Sequence, residues 1–358
     1  MKTKRLQARP LIAGILAIFS VAGLHAQHYP AGSEGIKAGS IPAPGIYIKD
    51  YNALYFADNF QGYSEPFDPI RPMGPFYQGF KTFDYVQTPR LLWVSDWKIL
   101  GANFGMSLRL PIEYKETTYT QRTPVLLGGA GGPGTGPALG IAYISHTDKQ
   151  FGLADIEVQP VLLSWHLGQF DVSTGYSFWA PTGDYDKSKL FFDNLGQGYW
   201  THMFSLGFTW YPDTGKTWAI SLLNHYEINM AQYSSLVTVP VSPSAPQGTV
   251  LEDTTLGDIY TLEWAVSKSV IKDVDVGLTG YYQQQVTGNG GPARTEGQNP
   301  NGPTWHGGNV QVAGIGPEIE ATIPDWGLTA SLRYAYEFTA MDHFQGNQIN
   351  LTVTMSFK

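Results

Sequence analysis

The chain has 358 residues, 22 Lys and Arg against 30 Asp and Glu, 14% aromatic residues, 41 Gly, 24 Pro and no Cys. Charged residues make up 15%, well below the ~25% of an ordinary soluble domain, and the wealth of aromatics excludes a disordered chain. Without Cys there are no disulfides, thiolate nucleophiles or acylated lipoprotein cysteines, and a single apolar run at the N-terminus excludes a helical membrane protein.

That first run reads as an export signal. Lys2, Lys4, Arg5 and Arg9 precede the apolar stretch Leu11 to Leu24, and Ala26 supplies the small residue of a cleavage site, so residues 1–26 are expected to be a removed signal peptide. Without its four cations the chain keeps 18 basic residues against 30 acidic ones. Nucleic acid, which needs a basic footprint, is therefore not an expected partner. Residues 27–44, rich in Gly, Pro and Ala, are expected to form an extended periplasmic arm or plug segment.

Residues 45–358 carry a period-two pattern, which places successive side chains on opposite faces of a strand. In chain order it runs through Phe104 to Ile112, Trp200 to Trp210, Tyr260 to Val266, Leu328 to Phe338 and Ile349 to Phe357, with His202 as an exception on an apolar face. The polar faces are mostly Ser, Thr, Gln and Asn with scattered carboxylates, whereas the exposed face of a soluble sandwich is rich in Lys and Glu. Tyr and Trp gather near strand ends, as in the aromatic girdles of a transmembrane barrel. Short connections are expected near Asp96 to Leu100, Leu167 to Gln169, Pro212 to Lys216, Ser269 to Asp273 and Pro324 to Gly327. They alternate with long ones near Phe60 to Lys81, Thr118 to Gln150, Gly183 to Gly198, Gln232 to Leu251 and Asn289 to Trp305, and a shorter one at Met341 to Gly346. The expected fold is all-β: one antiparallel outer-membrane barrel of about twelve strands, both termini on the periplasmic side. Its expected partners are membrane lipid and lipopolysaccharide, the outer-membrane assembly machinery of a Gram-negative cell, and a small hydrophobic solute.

Several stretches occur together: Gly45-Ile46-Tyr47; Gly152-Leu153-Ala154-Asp155-Ile156 leading through Pro160 to Trp165; Pro181-Thr182-Gly183-Asp184-Tyr185; Asn194-Leu195-Gly196 with Trp200; Gly280-Tyr281-Tyr282-Gln283-Gln284-Gln285-Val286-Thr287; and Gly314-Ile315-Gly316-Pro317-Glu318. Their order and spacing resemble the outer-membrane family associated with the meta-cleavage pathway of phenol degradation. The resemblance runs from about Gly45 to Phe357. It implies an exported β-barrel and uptake of aromatic or other hydrophobic carbon sources. One departure is the ending, where Lys358 follows the usual terminal aromatic, Phe357.

If the greasy faces meet lipid, the lumen receives Arg109, Glu113, Asp155, Glu157, Gln159, His225, Glu227, Glu263, Tyr281, Gln283, Gln285, Glu318, Glu320, Arg333 and Glu337. A tight turn at Asp325-Trp326 would place Glu318 across from Arg333. Such a cluster would either repel anions while Tyr281, Gln283 and Gln285 hold a planar solute, or merely fill a narrow barrel. Ser221, His225 and Glu227 share one strand face, but residues two and four apart on a strand lie ~7 and ~13 Å apart, too far for a triad. The run Gly128 to Gly136 lacks the Lys of a phosphate loop, and Asp273-Val274-Asp275 lacks the further ligands of a calcium loop. No cofactor, metal site or catalytic set is expected. The sequence favours a channel or binding conduit for small hydrophobic, possibly aromatic, molecules. The alternatives are a structural or surface-interaction barrel without transport and, further off, an outer-membrane hydrolase.

Overall fold

A computed structural model describes residues 28–61, 77–127, 138–186, 194–239, 248–288, 310–341 and 343–357. The expected signal peptide, the glycine run 128–136 and His306 lie outside the described residues. The described chain forms β1 (Gly45–Gln61), β2 (Tyr77–Ile99), β3 (Ala102–Arg109), β4 (Ile112–Leu127), β5 (Ala138–Leu153), β6 (Ile156–Leu167), β7 (Phe170–Ala180), β8 (Thr201–Trp210), β9 (Trp218–Asn229), β10 (Ala231–Val239), β11 (Gly248–Thr255), β12 (Ile259–Ile271), β13 (Val274–Gln285), β14 (Gln311–Ile323), β15 (Leu328–Met341) and β16 (His343–Phe357).

These segments make twelve traverses, because four of them are interrupted: β3 with β4 at Leu110-Pro111, β5 with β6 at Ala154-Asp155, β9 with β10 at Met230, and β11 with β12 across residues 256–258. Neighbours in sequence are neighbours in space, and β1 pairs antiparallel with both β2 and β16, so the sheet closes on itself. Closure leaves the barrel wall with no free edge, the condition under which a sheet satisfies its backbone in lipid. Proline bends the wall without opening it. The N–H of Leu110 still reaches the Pro89 carbonyl at 3.1 Å, and that of Ala154 reaches the Pro111 carbonyl at 3.0 Å.

Alternation decides which side chains go in. On β15 and β16, Leu332 and Leu351 are exposed outward while Ser331, Arg333, Asn350 and Thr352 are buried inward. Trp97, Phe170, Trp210, Trp218, Trp326 and Phe357 stand exposed at the short-turn end, as a girdle at a membrane interface would. The turns there use positive φ at Leu100 and Gly101, Gly168, Lys216, Asp273 and Gly327, so each reverses the chain within a few residues. His202, the exception in the pattern, does face outward. It stacks on Tyr176 and lies 2.8 Å from that hydroxyl, so its ring belongs to an aromatic cluster and its polar edge is satisfied. A second exception is a polar strip on the outer surface, where Asn52 and Gln87 amides donate to Asp50 and the Tyr85 hydroxyl donates to Asn52.

The structure corrects two of the expected long loops. β4 and β5 pair without a break from Ile112 with Leu153 to Leu127 with Ala138, and β10 pairs with β11 from Ala231 with Thr255 to Val239 with Gly248. Strand therefore occupies much of 118–150 and 232–251. β10 and β11 pair only with each other and rise beyond the wall, so they have no lipid face to write an apolar stripe into the sequence. In β4 the run from Thr117 to Thr123 is rich in Thr and Tyr, which favour strand without marking one face as apolar.

Candidate functional site in the barrel lumen

The segment 28–43 lies inside the barrel. His28 sits level with the loop-side ends of β7 and β8, and the chain descends to Ser40 near the short-turn end before reversing into β1. The arm has almost no secondary structure of its own, so its backbone donors must be satisfied by the wall. Three carboxylates do this. Glu227 accepts the N–H of His28 at 2.9 Å and of Tyr29 at 3.3 Å. Glu263 accepts Gly32 at 3.0 Å, Ser33 at 3.1 Å and Glu34 at 3.0 Å, together with the Tyr29 hydroxyl at 2.7 Å. Glu318 accepts Ile36 at 2.9 Å.

Side chains of the arm complete the grip. Its single Glu and single Lys both find opposite charge: Lys37 pairs with Asp275, and Glu34 meets a cationic wall. The Glu34 carboxylate is 2.8 Å from Lys49 Nζ, 3.1 Å from Arg90 Nη1 and in direct contact with Arg109 Nη2, and it accepts the Tyr51 hydroxyl at 2.9 Å. Burial opposes ionisation of Glu34, but the charges of Lys49, Arg109 and Arg90 outweigh it and hold the carboxyl well below the ordinary carboxylate range. The arm glycines mark close approaches. At Gly32 (φ 78°) a Cβ would strike the Tyr281 ring, at Gly35 (φ 76°) Arg333 and Glu318, and at Gly39 the Phe208 backbone. A void of ≈ 10 Å³ is left between Gly32, Gly35, Tyr281 and Arg333, about the least that holds one water.

Asp155 forms a second hub near the loop end. It lies 2.8 Å from His28 Nε2 and accepts the N–H of Gly183 at 2.8 Å and of Gln197 at 2.7 Å. The connection between β7 and β8 thus folds inward, burying Leu195 and Tyr199, and His28 stacks on Trp179 beneath it. The stretches around Asp155, Gly183 and Asn194-Leu195-Gly196, far apart in sequence, meet here through the Gly183–Gly196 backbone contact.

All fifteen residues expected from the sequence to face the lumen lie on the inward face, and the structure sorts them by partner. Arg109 ion-pairs with Glu157 at 3.1 Å as well as with Glu34, and Glu113 with Lys115 at 3.2 Å. Asp155, Glu227, Glu263 and Glu318 hold the arm, and Arg333 faces Glu318 at 3.3 Å in the register expected of the β14–β15 turn. Tyr281 donates to Glu337 at 2.9 Å, and Glu337 also accepts Tyr55 and the Gly346 N–H. Gln283 donates to the Tyr29 carbonyl at 3.2 Å and to Thr261 at 2.9 Å, whereas Gln285 reaches the Thr287 carbonyl at 2.8 Å. The Tyr29 ring packs 4.0 Å from that of His225, whose two ring nitrogens lack a partner. Glu320, half-buried, stands opposite Asp275 toward the short-turn end.

On the β1–β3 wall Lys49, Arg90 and Arg109 gather around Glu34, whereas Glu227 and Glu263 on β9 and β12 take backbone N–H groups of the arm. Sequence reading missed Glu34, Lys49, Tyr51 and Arg90. Tyr47, Lys49 and Tyr51 do alternate with Ile46 and Ile48, but the outward Asp50 and Asn52 blur that signal. Near the loop end, a cleft of ≈ 430 Å³ lies on the outer side of the wall, where Phe56, Phe83, Glu116 and Asn347 are in phase with the outward Asn52 and Tyr85 and not with the lumen. Ser221, His225 and Glu227 make no hydrogen bonds to one another.

A family profile described as "Putative MetA-pathway of phenol degradation" matches residues 67–353. No curated protein matches the chain. Among solved structures, the COG4313 outer membrane channel from Pseudomonas putida F1 is similar with a TM-score of 0.58 and 12% identity, covering 92% of this chain and 100% of that one. The β domain of the Bordetella autotransporter BrkA is similar with a TM-score of 0.42 and 12% identity (88% and 100%), and a Pseudomonas aeruginosa FadL homologue with 0.36 and 11% (95% and 98%).

Proposed function

The chain belongs to the family described by the MetA pathway of phenol degradation, and from that premise we propose that it is an outer-membrane channel for uptake of small hydrophobic, aromatic molecules. Residues 28–43 close it at rest, in a chain organised as a signal peptide 1–26, a plug segment 27–44 and a barrel 45–358. The observation that carries this reading is the chemistry of the arm's seat. Buried ion pairs stabilise a fold no better than apolar packing of the same volume, so a permanent filler has no need of Glu227, Glu263, Glu318 and a triple-cation clasp. A plug that must leave does need them, because water can replace each polar contact once the arm moves. Tyr281 and Gln283, now against the arm, would then face a solute with an aromatic surface and an amide donor.

The fold of the COG4313 outer membrane channel supports the same reading. An enzyme is disfavoured because Ser221, His225 and Glu227 act separately and two of them face the arm. The test is liposome swelling with benzyl alcohol and with a sugar of similar mass, for wild type and for Glu263→Ala. Faster entry of the aromatic alone, increased further in the variant, is expected. Equal rates with and without protein in both forms would leave a structural barrel as the better account.

A further inference from the structure

The clasp on Glu34 has the make-up of a ligand site. Three cations from three strands, Lys49, Arg90 and Arg109, converge on one carboxylate, with the Tyr51 hydroxyl donating to both of its oxygens at 2.9 and 3.1 Å. The side chains of Arg90 and Arg109 are more than nine-tenths buried. Arg90 is held from behind by Ser107 at 3.1 Å and Gln159 at 3.0 Å, so its fork is aimed before any anion arrives. Arg109 is held by Glu157, and its buried Nε has no hydrogen-bond partner among the described residues, leaving a donor that Glu34 does not use. Aromatic surface flanks the cations: Lys49 lies 4.8 Å and Arg109 5.4 Å from the Tyr51 ring centroid. Glu34 is the only carboxylate in the arm. It is tethered there by its neighbours, so it competes at the high effective concentration of an intramolecular ligand.

We propose that Lys49, Tyr51, Arg90 and Arg109 form a binding site for the carboxylate of an aromatic acid, with Glu34 as its built-in occupant. The inference deepens the channel reading and rests on it: among aromatic solutes, it selects those bearing a carboxylate. When the arm withdraws, Lys49, Arg90 and Arg109 lose the Glu34 carboxylate, and the two guanidinium groups are buried. The cost of leaving them uncompensated is relieved by a solute that carries a carboxylate on a flat apolar body, since Tyr51 can pack against the ring while the guanidinium groups take the oxygens. A neutral alcohol of the same shape gains the packing and not the charge.

The experiment is calorimetric titration of the full-length protein in detergent with benzoate, benzyl alcohol and inorganic phosphate at fixed ionic strength. Glu34→Ala is expected to bind benzoate at least tenfold more tightly than wild type, and addition of Arg109→Met should abolish the gain. Benzyl alcohol and phosphate should not distinguish the variants. Glu34→Gln, which keeps the side-chain volume, serves as the second variant and should behave like Glu34→Ala; each is checked for heat-modifiable mobility as a sign of a closed barrel. If neither variant that forms a closed barrel gains benzoate affinity, or if phosphate gains as much as benzoate, there is no carboxylate site. If Glu34 proves indispensable for closure, wild type decides: benzoate must raise its thermal midpoint more than benzyl alcohol does, and equal shifts overturn the proposal. Swelling with neutral aromatics is read separately, so the channel reading can stand while this one falls.

Discussion

Glu263 is the largest single handle on the arm, and removing it should unseat the plug. Its carboxylate accepts four hydrogen bonds from residues 29–34, three of them from backbone N–H groups with no other partner in the arm. Hydrogen bonds to a charged group contribute about 1.5–3 kcal/mol each, and a buried donor left unsatisfied costs about 1–3 kcal/mol. Part of that is offset, because the carboxylate no longer has to be desolvated and the freed donors can reach water when the arm leaves. A net loss of about 3–4 kcal/mol for the docked state is therefore expected in Glu263→Ala, two to three orders of magnitude in the open fraction at about 1.4 kcal/mol per tenfold. Because the chain has no Cys, a single Ile36→Cys, at a buried position of the docked arm, reports on it: a charged maleimide reaches it after undocking. The labelling rate should rise about a hundredfold or more in Glu263→Ala, on the same rate-to-energy scale. Glu263→Gln should fall between, since one amide oxygen remains as acceptor while its NH₂ opposes a backbone N–H. An unchanged rate in a variant with normal gel mobility would refute the argument that polar contacts hold the arm.

Four further outcomes follow from the geometry. The Glu34 carboxyl titrates below its unfolded value of 4.5, so its contribution is fully present above that pH and lost as pH falls through the depressed value. The difference in Ile36→Cys labelling between backgrounds carrying Glu34 and Glu34→Gln, each normalised to a free thiol at the same pH, should therefore be constant down to about pH 5 and vanish only in stronger acid. Gly39→Ala places a methyl against the Phe208 backbone, which cannot swing aside as a side chain could; it should loosen the lower arm in the same assay without altering heat-modifiable mobility. Asp155→Asn weakens the joint between His28 and the N–H groups of Gly183 and Gln197 and should expose the β7–β8 connection to protease. Leu332→Arg puts a charge on the lipid face and should cost about 2–4 kcal/mol in denaturant unfolding from liposomes.

The barrel was legible because lipid and lumen write opposite demands on alternate residues. Leu328 to Phe338 and Ile349 to Phe357 declare a strand and a face at once, and the five tight turns follow from where the alternation stops. Where a strand has no lipid on either side the code is silent, and so β10 and β11 read as loop. The lumen list was legible for the same reason, since any polar residue in phase with an apolar stripe must point inward. What those residues hold was not legible. Gly32 and Gly39 owe their positions to Tyr281 and Phe208, Glu34 owes its own to Lys49, Arg90 and Arg109 on three separate strands, and nothing local in the arm distinguishes a seated plug from a flexible tail.

That remoteness bears on the order in which the molecule comes together. His28 meets Asp155 across 127 residues and Ile36 meets Glu318 across 282, so although β1 to β3 can take Glu34 early, the rest of the arm's seat is complete only once β9 to β14 have been laid down. Closing such long loops has an entropic cost that a single early contact cannot repay. The earliest described segment of the chain is thus fully seated only after most of the wall that holds it is in place. Faults in the arm should then yield closed but leaky barrels, whereas faults along the β1–β16 seam should yield none to be plugged.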